Sequence, residues 1–209
     1  MTKKTTHASW RLHAILGMMI ELQEGLIDEF SLMFKQQAGN VYHTKSAEEA
    51  AQIVSDIVRT KNGGRVCCAP FAINGKKFET LLETKFFPFE RILHDDDGND
   101  VLSELGPVDV GITLSAAAIS QTGSLVEVSS SDNERLLSSL SRIHISILEA
   151  SKILANLSDL APMIRSILNA TSKKPTITLI GGPSRTSDIE LKSVLGVHGP
   201  HEVHAIIIE

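Results

Sequence analysis

Apolar residues recur at every third or fourth position from Ser9 to about Ala38: Leu12, Ile15, Met19, Leu22, Leu26, Phe30 and Met33. That spacing predicts one long amphipathic helix, or two joined near Gly25. Leu16, Ile20, Ile27 and Phe34 add a second apolar face, so the stripe is wide enough to serve a partner as well as its own domain. Beyond Gly39-Asn40 the pattern changes. Val41-Tyr42-His43 reads as a short strand, and Ser46, with Glu49 three residues on, caps a helix running to Arg59. Asn62-Gly63-Gly64 stops it, Arg65 to Ala69 reads as a buried strand, and Asn74 to Thr84 as a third helix. Phe86 to Leu93 is apolar and aromatic, with Pro88 limiting any central strand.

The second half continues the alternation. Asp-rich His94 to Asn99 reads as a turn, Asp109 to Leu114 and Leu125 to Val128 as strands, and Ser115 to Ser124 as a small-residue connection. Asn133 to Leu140 reads as a helix, Ile143 to Leu148 as a strand, Ser158 to Asn169 as a helix capped by Ser158, Thr176 to Ile180 as a buried strand and Glu202 to Ile208 as the last strand. Strands alternating with helices predict an α/β fold, a three-layer α/β/α arrangement around a mostly parallel sheet. Without a Pro/Gly/Ser linker, the expected organisation is an N-terminal helical segment over residues 1–38 and a single α/β domain over 39–209.

Composition narrows the function classes. A net charge of −5 with no basic block points away from nucleic acid. No run of about 18 apolar residues suggests a membrane span, and Arg11, His13 and Glu21 break any signal-peptide pattern. The two cysteines are the neighbours Cys67 and Cys68. They offer neither a disulfide framework nor the ligands of an iron–sulfur cluster, so the expected setting is cytoplasmic, with no cofactor held in this chain.

The candidate chemistry lies in the last third. Gly181-Gly182-Pro183-Ser184-Arg185-Thr186 follows the Thr176–Ile180 strand, and Ser187 with Glu190 has the spacing of a capping box. Strand, tight turn and helix start would aim backbone N–H groups at an anion, with Arg185 adding a planar, bidentate positive charge. The structural alternative pairs Arg185 with Asp188 or Glu190. Thr122-Gly123-Ser124 is a second polar turn, able to bind the same ligand or simply to supply a positive φ at Gly123. His198, in Val197-His198-Gly199-Pro200, is the candidate acid or base, with a role in binding or in fixing the loop as the alternative. His198, His201 and His204 repeat every third residue, but on an extended segment that spacing alternates faces, so no metal site is expected. Asp95-Asp96-Asp97 reads as a solvated turn and Cys67-Cys68 as core.

Three motifs in this order, Gly111 to Leu125 (GITLSAAAISQTGSL), GPSRTSDIE from Gly182 and GVHGP from Gly196, give the chain a resemblance to the lactate-utilisation protein C family, the LUD domain group, over roughly residues 30 to 209. The resemblance implies a fold similar to the sugar-phosphate isomerase and CoA-transferase superfamily. It also implies a part in oxidising L-lactate to pyruvate beside partner proteins that carry iron–sulfur clusters. In one position the chain departs from the pattern: Gln121 stands where many relatives have an acidic residue before Thr-Gly, and an amide cannot replace a carboxylate nucleophile. The expected site is therefore a small-anion site made by Thr122, Gly123, Ser124, Gly182, Ser184, Arg185, Thr186, His198 and Gly199. The expected function is that of an accessory subunit binding the anion, the iron–sulfur proteins or both. A homo-oligomer and a stand-alone acyl-transferase-like, CoA-transferase-like or phosphosugar-isomerase-like enzyme are the other outcomes.

Overall fold

The computed structural model describes residues 4–62, 64–85, 90–91, 108–170, 175–187, 193–195 and 199–209. Its centre is a six-stranded sheet in which every neighbouring pair is parallel. The strands are β1 (Asn40–Thr44), β2 (Val66–Cys68), β5 (Glu90–Arg91), β6 (Val110–Leu114), β9 (Ile143–Glu149) and β14 (Glu202–Ile208), in the order β1-β14-β9-β6-β2-β5. The middle strands read IHISILE and EVHAIII and are almost wholly buried. Sheets covered on both faces select such near-continuous apolar runs.

One face is covered by α2 (Ala47–Thr60) and α3 (Phe78–Glu83), which bury Ala50, Val54, Phe78 and Leu82 against Val66, Ile112, Ile145 and Ile206. The Ser46 cap forms as the spacing predicts: its hydroxyl accepts the Glu49 N–H at 3.1 Å. The Glu49 carboxylate reaches back to the Lys45 N–H at 3.0 Å and the Thr44 hydroxyl at 2.6 Å.

The other face meets α1 (Lys4–Gln36), α4 (Asp132–Leu140) and a second, smaller sheet. That sheet has the order β10-β7-β8-β11 and consists of β7 (Ala117–Ile119), β8 (Ser124–Ser129), β10 (Ile153–Leu154) and β11 (Thr176–Ile180). The three-layer arrangement thus describes the parallel sheet, and the small-residue stretch builds an additional one. Its outer face lies under α5 (Leu160–Ala170) through Ala117, Ile119, Val126 and Leu160. No helix among the described residues is long and apolar enough to cross a membrane.

α1 is one helix, not two, and buries Ile27, Phe30 and Phe34 between the parallel sheet (Leu148, Val203, Ala205, Ile207) and the smaller one (Ala118, Leu125, Ile153). It ends where Ala38 takes the left-handed conformation (φ 65°) and the Gly39 N–H returns to the Phe34 carbonyl at 3.0 Å.

Three local expectations are corrected. Asn74 to Thr84 is not one helix: β3 (Ala72–Ile73) and β4 (Lys76–Lys77) form a hairpin, and α3 starts only at Phe78. Asn74 and Gly75 both have positive φ (51° and 76°), the backbone of a type I′ turn. The helix α5 is preceded by a 3-10 turn, Leu157–Asp159, and its cap is Asn156, not Ser158; Asn156 accepts the Ser158 and Asp159 N–H groups. The third correction falls on the glycine-rich motif. The stretches 92–99, 188–192 and 196–198, with His198, Asp188, Glu190 and the Asp95-Asp96-Asp97 turn, lie outside the described residues.

A polar chain runs beside α2 from the buried His204 to the surface. His204, 2% exposed, stacks on Tyr42 with ring centroids 5.8 Å apart and accepts or donates at Nδ1 with its hydroxyl at 3.3 Å. Its Nε2 meets Glu202 at 3.2 Å, and Glu202 pairs with Lys61 at 2.7 Å. Burial lowers the His204 pKa, and Glu202 only partly offsets this. The folded state therefore binds fewer protons than the unfolded chain below the ordinary histidine value of 6.5. The His204 contribution is fully present above that value and is lost as pH falls through it toward the lower folded pKa. Urea unfolding is expected to show stability falling as pH drops below about 6.5, with a flatter dependence in His204→Gln. An equal slope in the two proteins would remove His204 as the source.

Candidate functional site

Strand β11 leads into the turn Gly181-Gly182-Pro183-Ser184 as predicted, but its setting differs. β11 pairs antiparallel with β8 in the smaller sheet, so the turn does not follow a parallel strand. The helix expected from Ser187 falls on residues 188–192, outside the described residues. Arg185–Ser187 is extended, as β12, and pairs antiparallel with β13 (Ser193–Leu195), with Arg185 opposite Leu195 and Thr186 opposite Val194.

The two polar turns are nonetheless brought together, and the residue that joins them was not singled out by sequence. Ile180 lies opposite Leu125 across β11 and β8, which places Gly181 beside the start of β8. Gln37, just past the end of α1, donates from Nε2 to the carbonyl oxygens of Thr122 at 2.6 Å and Gly123 at 3.2 Å. The same residue packs on the glycine motif. A Cβ added to Gly182 (φ 142°) would lie 2.5 Å from the Gln37 carbonyl oxygen, and one added to Gly181 would collide with the Gln37 side chain. Gly123 (φ 56°) needs both its conformation and its bareness, because a Cβ there would lie 2.5 Å from the Phe34 nitrogen. The Thr122 hydroxyl donates to Ser124 at 3.0 Å.

A cavity of about 280 Å³ is lined by Gln37, Gly181, Gly182, Pro183 and Arg185. The Arg185 side chain is exposed, and no carboxylate among the described residues pairs with it. Ser184 holds the third motif in place: its N–H donates to the Pro200 carbonyl at 2.9 Å, and a Cβ on Gly199 would lie 3.1 Å from the Ser184 Cβ. Thr122, Gly123, Gly182, Ser184, Arg185 and Gly199 thus belong to one neighbourhood. For Thr186 the structure gives the backbone position only. Of the other histidines in the tail, His201 is exposed and His204 is the buried end of the polar chain beside α2. A guanidinium next to bare glycine backbone suits recognition of a carboxylate or phosphate.

A second group of functional character escaped the sequence reading. On the face of the parallel sheet that meets β8 and α4, Glu127 (3% exposed), His144 (0%) and Thr113 (5%) form a buried triangle. The Thr113 hydroxyl donates to Glu127, and His144 Nε2 stands 2.8 Å from the Thr113 oxygen and 3.0 Å from Glu127. Burial pushes the Glu127 pKa up; the His144 ring and the hydroxyls of Thr113 and Ser138 more than offset this and hold it below the ordinary carboxylate value. Gly111 makes room beneath the Leu137 carbonyl and Ser141, since a Cβ would lie 2.7 Å from that oxygen. A charged residue inside Leu125-Val126-Glu127-Val128, and a histidine inside Ile143-His144-Ile145, were the available signals.

Residues 27–208 match the model of the LUD domain. The chain is 35% identical over 192 residues to a lactate utilization protein C of Shouchella clausii, covering 90% of this chain and 82% of that one. It is 28% identical over 193 residues to one of Macrococcus caseolyticus, covering 87% and 79%. The crystal structure of a DUF162 family protein from Deinococcus radiodurans superposes with a TM-score of 0.60 at 18% identity, over 90% of this chain and 98% of that one, which establishes the shared fold.

Proposed function

Since this chain belongs to the LUD domain family, we propose that it serves lactate utilisation as an accessory subunit, binding a small anion at Arg185 and working beside iron–sulfur proteins. The observation that carries the reading is the Arg185 cavity, where a guanidinium meets the bare backbone of Gly181 and Gly182 beside Gln37. The names of the relatives supply the lactate system. A carboxylate or phosphate would take two parallel hydrogen bonds from the guanidinium, while His198 and Thr186 complete the expected site.

Only two adjacent cysteines occur in the chain, and both are buried. Their pattern supplies no cluster ligands, so this reading places electron transfer on the partner proteins. The test is titration of the purified chain with lactate, pyruvate and inorganic phosphate by calorimetry. Arg185→Ala is expected to weaken binding of the preferred anion by roughly 10- to 100-fold, the worth of a charge-assisted hydrogen bond. Arg185→Lys should recover only part of it because the fork is lost. Equal affinity in all three proteins would overturn the reading.

A further inference from the structure

The Glu127 triangle opens onto a second cavity, of about 200 Å³, lined by Pro70, Phe71, Ala116, Glu127, Val128 and Glu134 among others. It sits where β2 and β6 run out: Pro70 and Phe71 follow Cys68, and Ala116 follows Leu114. Open α/β sheets bind ligands beyond the carboxyl ends of their parallel strands. The Arg185 cavity lies by Leu125 and Ile180, at the far end of β8 from Ser129, which also lines this one.

The charge in this cavity follows from its lining. Two acidic residues, Glu127 and Glu134, line it, and Glu127 is 3% exposed. One histidine, His144, stands beside them, its Nε2 3.0 Å from Glu127. Such a lining disfavours an anion and favours a cation that can donate to a carboxylate. Phe71 in the wall adds an aromatic surface compatible with a cation.

We infer that this cavity is a binding site for a small organic cation, a primary ammonium on a short apolar chain, with the Glu127 carboxylate as its anchor and Pro70, Phe71, Ala116 and Val128 enclosing its body. The chain then carries two sites of opposite preference, an anion at Arg185 and a cation at Glu127, and the second stands whether or not the first is confirmed. The experiment uses the full chain, labelled with ¹⁵N, and three probes of equal length: butylammonium, butan-1-ol and butyrate. Butylammonium is expected to shift the amide signals of Phe71, Ala116 and Val128 saturably. Glu127→Gln, which removes the charge and keeps the shape, should weaken it by at least about tenfold. Ala116→Leu, which fills the cavity and leaves the triangle intact, should do the same and decides the matter if Glu127→Gln does not fold. Butyrate or butan-1-ol shifting these signals as tightly as butylammonium would overturn the inference. So would a wild-type protein that binds butylammonium no better than Ala116→Leu.

Discussion

Glu127→Ala is expected to lower the free energy of unfolding by about 3–5 kcal/mol, the cost of breaking a buried, hydrogen-bonded charged group away from its partners. Removing the carboxylate leaves the Thr113 hydroxyl and His144 Nε2, both in buried residues, without their shared acceptor. Few single changes cost as much, and the loss is a large fraction of the 5–15 kcal/mol typical of whole domains. Denaturant unfolding gives the number directly. The stricter check is a double-mutant cycle. His144→Ala alone should also be costly, but Glu127→Ala with His144→Ala should cost clearly less than the sum, because the second deletion removes a group already orphaned. Strict additivity would mean that the two side chains are not energetically coupled.

Phe34→Ala is expected to cost a similar amount, about 3–5 kcal/mol for truncating a fully buried aromatic residue. Phe34 is 0% exposed and stacks on Phe30 at 5.4 Å; its ring fills the space that glycine leaves at position 39, and its backbone seats Gly123. The cavity left by the ring would lie between two sheets, where collapse requires both to move. Leu32→Ala, on the same helix but 59% exposed, serves as the control and should stay within about 0.5 kcal/mol of wild type. If both variants unfold at the same denaturant concentration as wild type, α1 contributes little through this contact.

The α/β class and the strands from Val66, Val110, Ile143 and Glu202 were legible because β-branched runs buried on both faces leave no amphipathic alternative. The Ser46 cap was legible because its partner Glu49 is local. The errors share a cause: short-range signals shared by more than one structure. Asn74-Gly75 reads equally as the start of a helical stretch and as a hairpin turn, and both residues adopt positive φ. The Thr176–Ile180 run fits a strand of either direction, and only its pairing with β8 makes it antiparallel. The clustering of the polar turns was readable in outline, since turns at successive strand ends gather together. Gln37 was not, because nothing local links an exposed-looking glutamine to carbonyls 85 and 86 residues away. Glu127 and His144 were visible as polar intrusions in apolar strands, yet only tertiary pairing turns such intrusions into a charged cavity.

The geometry of α1 has a mechanical meaning. The helix is a proline-free, continuously hydrogen-bonded rod of 33 residues. Ile27, Phe30 and Phe34 clamp it, and the stretch from Lys4 to Leu26 lies outside the span matched to the family domain. At 1.5 Å per residue, Leu22 and Gln37 stand about 22 Å apart along the axis. One end carries the exposed Met18, Met19 and Leu22; just past the other stands the side chain that grips the Thr122 and Gly123 carbonyls and walls the arginine cavity. A single rigid element thus spans from an exposed apolar patch to the wall of that cavity.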